Sequence, residues 1–238
     1  MTAYQMIVAT HIGAGVVALL TFWTAAFARK GGALHRAVGK VYLSAMVVIL
    51  ATAVVTAIAA LAGGQLVSGV FLSYLVLITA TACWLAWRAP RLKREPARFY
   101  QRGFAAVAVL NVLSGLLVFA IGLQLGNVLL MGFCWVGVFT GLGMLHRWRA
   151  SERPLNWWLR EHFISMLGNG VATHIAFFSI GLQRLAHKAG VAMPEYVAWF
   201  APVAVALVVG IWLDRRYPAK HRQPRASKTV SAAVPAVS

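Results

Sequence analysis

Seven histidines stand out in a chain that is otherwise poor in reactive groups. His11 and His174 lie inside long apolar runs, whereas His35, His146 and His162 each sit within two residues of an arginine. Ionisable side chains inside hydrocarbon are costly, and they face a bundle interior or a functional path. Counting about 1.5 Å of rise per residue, His11 lies roughly 25 Å from the basic end of its segment and His174 roughly 20 Å from the start of its own. The two then fall within about a turn of each other in depth. Imidazoles on facing helices can ligate haem iron, so His11 and His174 are the candidate axial or metal ligands of a single redox centre, with haem b as its cofactor. Gly13 and Gly15 beside His11, and Gly168 and Gly170 before His174, would admit a flat ring or a neighbouring helix.

The segment "REHFISMLGNGVATHIAFF" at 160–178 carries a second pattern. At 100° per residue, Met166, Asn169 and Thr173 fall within about 40° of His162 and form one polar stripe, while His174 points about 120° away. A stripe of this kind suits a proton or small-solute path. A third group, His35, Arg36, His146, Arg147, Arg160 and Glu161, gathers at one end of the apolar segments and is the candidate pocket for an anionic headgroup. Asn111 and Ser114 read as bonds between helices rather than as a site.

The missing groups narrow the chemistry. There are five acids in all, which leaves almost no material for a paired-carboxylate mechanism. No G-x-S-x-G, Walker, CxxC or HExxH spacing occurs. The two cysteines, Cys83 and Cys134, both fall in apolar runs, so no disulfide framework is expected.

These residues need elements to hold them, and composition defines those elements. Of the 238 residues, 61% are hydrophobic and 11% charged, a membrane composition. A net charge of +17 would suggest nucleic acid in a soluble chain. Its distribution excludes that partner: 41–87, 103–146 and 161–183 contain no Lys or Arg, and the charge is confined to the connections between them. Windows long enough to cross a bilayer fall at 4–28, 40–62, 66–88, 103–123, 125–146, 161–183 and 195–214. The expected fold is an all-α membrane protein, a bundle of seven transmembrane helices. Basic residues crowd 29–40, 88–102, 147–160 and the stretch after 214, which are alternate connections, and this places the N-terminus outside and the C-terminus inside. The first run reads as a retained helix, since no basic residue precedes it and it exceeds a signal core. Residues 1–214 form the membrane domain, and 215–238 read as a basic, disordered cytoplasmic tail.

The stretch "HIGAGVVALLTFWTAAFARKGGALHRAVGKVYLSAM" at 11–46, above all "KGGALHRAVGKVY", resembles a family of bacterial integral membrane proteins known only as a domain of unknown function. "EHFISMLGNGVATHIAFF" is similar to a second block of some members. The resemblance implies a bacterial inner-membrane location and marks His11, His35, Arg36, Gly39, His162 and His174 as family-pattern positions, without a known activity.

Three functions follow as expectations. The first is a haem-associated or quinone-linked redox protein, with membrane lipid, quinone or a membrane redox partner as its contacts. The second is a proton or small-solute transporter, or a lipid-handling protein, using the stripe from His162 to Thr173. The third is a non-catalytic membrane subunit whose polar groups only join helices.

Overall fold

The computed structural model describes residues 1–182, 187–188, 190 and 195–221, and all regular structure among them is helical. In chain order the helices are α1 (Ala3–Phe27), α2 (Ala33–Ala62), α3 (Leu66–Arg91), the single turn α4 (Pro96–Phe99), α5 (Arg102–Gln124), α6 (Val128–Arg149), α7 (Trp157–Ala176) and α8 (Glu195–Arg216). A π-helical stretch, Phe177–Leu182, prolongs α7. Helices α1, α2, α3, α5, α6 and α8 are long and apolar enough to cross a bilayer.

The expected span at 161–183 differs. It is helical from Trp157 onward, with residue 183 outside the described residues, but α7 is not among the six apolar helices. The reason is its cargo: Arg160, Glu161, His162, Asn169, Thr173 and His174 all ride on it. Helix α2 also starts seven residues before the expected boundary. At 30 residues it is about 45 Å long, so its first turns, with His35, Arg36 and Lys40, reach past a hydrocarbon core of about 30 Å.

Short uncharged turns join α2 to α3 and α5 to α6. Both hold a glycine in the left-handed region, Gly64 at φ 74° and Gly126 at φ 59°, where a side chain would be strained. Helix α3 lies in the middle, touching α2, α5, α6 and α7, and α7 in turn packs on α1, α3 and α8. Helices α5 and α6 approach closely because of glycines. A Cβ on Gly141 would lie 2.5 Å from the Ala108 carbonyl oxygen, and one on Gly115 would lie 2.8 Å from that of Cys134. With little hydrophobic drive between helices in lipid, such small-residue contacts carry the association. Polar bonds add to them. The Asn111 amide of α5 donates to Thr81 Oγ1 of α3 at 2.9 Å, as expected of an interhelical bond, whereas Ser114 bonds only within its own helix, to Asn111 O. The Tyr74 hydroxyl of α3 donates to the Cys134 carbonyl and accepts from Gly137 N–H of α6.

The stretch after 214 departs from the expected tail at its start. Helix α8 runs to Arg216, and Lys220 then pairs with the connection before α7: Leu155 N–H donates to Lys220 O at 2.7 Å and Lys220 N–H to Asn156 Oδ1 at 2.9 Å. The rest of that expectation, 222–238, lies outside the described residues.

Candidate functional site

Most of the expected site residues meet on or around α7, in three layers. The layer next to the basic connections centres on Glu161, which is buried. Its Oε1 accepts from Arg147 Nε of α6 at 2.5 Å and from the Tyr100 hydroxyl at 2.8 Å. Burial, reinforced by the neighbouring carboxylate, pushes the Tyr100 phenol well above its ordinary value, so it stays a donor. Arg153 stacks its guanidinium over the Tyr100 ring at 4.3 Å. The residues expected to line an anion pocket have separate partners. Arg147 is spent on Glu161, Arg160 makes two bonds to Asp214 at 2.8 and 2.9 Å, Arg36 caps Gly31 O, and His146 is exposed.

The second layer is the stripe. His162 Nδ1 faces the Ala86 carbonyl of α3 at 3.1 Å, and its ring centroid is 6.4 Å from that of His35. His35 Nδ1 faces the Ala25 carbonyl of α1 at 3.0 Å. Met166 packs against the buried group of Ala18, Tyr42, Met46 and Cys83. Asn169 is fully buried; its Oδ1 accepts from Cys83 Sγ at 3.1 Å while its Nδ2 has no partner. Thr173 donates to Asn169 O and lies 3.0 Å from the Tyr42 hydroxyl. The expected alignment of His162, Met166, Asn169 and Thr173 is present, turned into the bundle between α2 and α3. Tyr42 and Met46 of α2 meet it at Thr173.

The third layer holds His174. Its Nδ1 faces the Gly170 carbonyl at 2.7 Å, and its Nε2 is buried with no hydrogen-bond partner. A carbonyl oxygen only accepts, so Nδ1 carries the proton of the neutral ring and Nε2 presents a bare lone pair. The ring is wedged edge-on between Phe22 and Trp23 of α1, with centroids 5.2 and 5.4 Å away. Gly170 makes that wedge possible, because a Cβ there would lie 2.6 Å from the Phe22 ring. Alongside runs an open groove of about 480 Å³ lined by Leu19, Leu20, Trp23 and Phe27 of α1 and by Phe177 and Phe178. Phe27 is 82% and Leu20 64% exposed, so the groove opens sideways from the bundle. The π-helix begins one turn after His174 and carries both phenylalanines. Such widened turns occur frequently at functional sites.

His11 is elsewhere. Its Nδ1 lies 2.8 Å from Thr52 Oγ1 of α2, whose own proton goes to the Val48 and Ile49 carbonyls. The α1 residues beside His174 begin at Leu19, eight positions further on, about 12 Å along the axis. The contacts of the two histidines are separate: His11 bonds to Thr52 of α2, and His174 packs on Phe22 and Trp23 of α1. Helix α7 starts at Trp157, four residues earlier than expected, so the count from its start places His174 at a different distance than expected. Gly13 and Gly15 meet nothing within 4 Å, so they serve no close approach either. Among the described residues no three His, Cys, Asp or Glu side chains gather as a metal cluster.

The residues missed from sequence are the aromatic ones: Phe22, Trp23, Phe177 and Phe178 around His174, and Tyr100 on Glu161. Their signal was paired aromatics close to helix ends, "FW" at 22–23 and "FF" at 177–178, which equally suit an interfacial belt. No family model, no curated protein and no solved structure matches this chain.

Proposed function

We propose that this chain is a multi-pass protein of the bacterial inner membrane, N-terminus out and C-terminus in, that binds a quinol-type carrier from the lipid in the groove between α1 and α7. Seven crossings are the reading that brings the four basic connections to one side of the membrane. Contacts between those connections, Arg160 with Asp214 and Leu155 with Lys220, support a common face. A C-terminal green-fluorescent-protein fusion is expected to fluoresce and a C-terminal alkaline phosphatase fusion to be inactive; the reverse would invert the topology.

The observation that carries the quinol reading is the orphaned Nε2 of His174 beside an aromatic, laterally open groove. A buried acceptor without a partner costs about 1–3 kcal/mol, which a ligand hydroxyl would recover. Small-molecule sites share this make-up of mostly apolar walls with a few placed polar groups. A quinol supplies both parts, a flat ring for Trp23 and Phe178 and a hydroxyl for Nε2, and its isoprenoid chain suits the exposed Leu20–Phe27 wall. The transport reading gains no support from the stripe, which is packed against Tyr42 and Met46.

The test is equilibrium binding of a short-chain quinol to the protein in lipid nanodiscs. His174→Phe keeps the ring packing but removes Nε2, and is expected to weaken binding about tenfold, equivalent to 1.4 kcal/mol. His11→Phe should leave affinity unchanged. Equal affinity in the wild type and the His174 variant would sink the reading.

A further inference from the structure

A second pair of imidazoles, His35 at the start of α2 and His162 in the second turn of α7, takes no part in the groove. Both Nδ1 atoms face backbone carbonyls, Ala25 O of α1 for His35 and Ala86 O of α3 for His162. Carbonyls only accept, so both rings hold their proton on Nδ1 and their lone pair on Nε2. The two anchors lie on different helices, α1 and α3, and pull the Nδ1 edges apart. Nε2 is then the ring nitrogen left free on both, and the ring centroids are 6.4 Å apart with planes at 77°. Two free imidazole nitrogens on rings this close can share one cation. An imidazole–metal–imidazole unit, with each nitrogen about 2 Å from the metal, sets ring centroids about 6 Å apart. Backbone carbonyls holding the far nitrogen are the usual support that orients a ligating histidine.

The geometry points to a copper(I) site made by His35 and His162. Imidazole suits copper, and a d10 copper(I) ion is stable with two opposed nitrogen ligands. Zinc prefers four ligands, and among the described residues no third His, Cys, Asp or Glu joins the pair.

The test uses the full chain in nanodiscs, titrated with copper(I) under reducing conditions against a chromogenic copper(I) chelator. One equivalent should bind, and X-ray absorption should show two nitrogen scatterers. His35→Asn and His162→Asn each keep an N–H for the carbonyl but lose the Nε2 lone pair. Each is expected to lower affinity more than about 100-fold, beyond the cost of losing an outer supporting contact. The exposed His146→Asn should bind as the wild type does, and so should His174→Phe, which separates this site from the quinol groove. Unchanged affinity in the asparagine variants, no copper binding by the wild type, or a haem absorption band lost in these variants would overturn the assignment. Should both variants misfold, the X-ray absorption of the wild type decides alone: sulfur ligands or four ligands would refute it.

Discussion

Replacing Arg147 with methionine is expected to cost about 3–5 kcal/mol of stability, because the buried Glu161 carboxylate loses its ion-pair partner. For a chain of this size that corresponds to a fall of about 10 °C in the unfolding midpoint, measured on detergent-solubilised protein. The Tyr100 hydroxyl would remain on Glu161 but cannot replace a charge. The double variant Arg147→Met with Glu161→Leu should regain most of the loss, since replacing both members of a buried pair with apolar groups is often neutral. A single Arg147 variant as stable as the wild type would contradict the buried pair. So would a double variant no better than the single one.

The second large effect is expected at Gly170. Valine there places a Cβ 2.6 Å from two carbons of the Phe22 ring, closer than any real contact. Phe22 packs against both Tyr42 and His174, so it has little room to yield. Overpacking of this kind costs about 1–3 kcal/mol, and the wedge that holds the His174 ring opens. Quinol binding should fall more than tenfold while the protein stays folded. Gly168, whose Cβ would meet only ordinary contact with Ala82 at 3.6 Å, is the control, and Gly168→Ala should leave binding intact. Binding retained in Gly170→Val would detach the wedge from the site.

What the chain reveals by itself follows from which interactions are local. The apolar runs of α1, α2, α3, α5, α6 and α8 were legible because crossing a bilayer demands length and apolarity that a single segment must supply. The stripe from His162 to Thr173 was legible because helical phase is a property of one helix. The partners of that stripe were not: Cys83, Tyr42 and Met46 come from α2 and α3, and no periodicity in α7 names them. Depth failed for a related reason. Counting from helix ends assumes parallel helices with a common starting plane and names no neighbour; in the fold His174 meets Phe22 and Trp23. The pairings within the basic cluster were not legible, because topology alone does not say which acid a given arginine meets. Arg147 and Arg160 found Glu161 and Asp214, two of the five acids in the chain.

The central claim is that the unpartnered Nε2 of His174 is a lone pair waiting for a hydroxyl. A neutral imidazole in this tautomer accepts a hydrogen bond from a quinol but meets the carbonyl of a quinone lone pair to lone pair. The decisive measurement is therefore the affinity of the nanodisc-embedded protein for the same short-chain compound in its reduced and oxidised forms. The reduced form should bind about tenfold more tightly in the wild type, and the preference should vanish in His174→Phe. Equal affinities for the two forms, or a preference that survives in the His174 variant, would contradict the account.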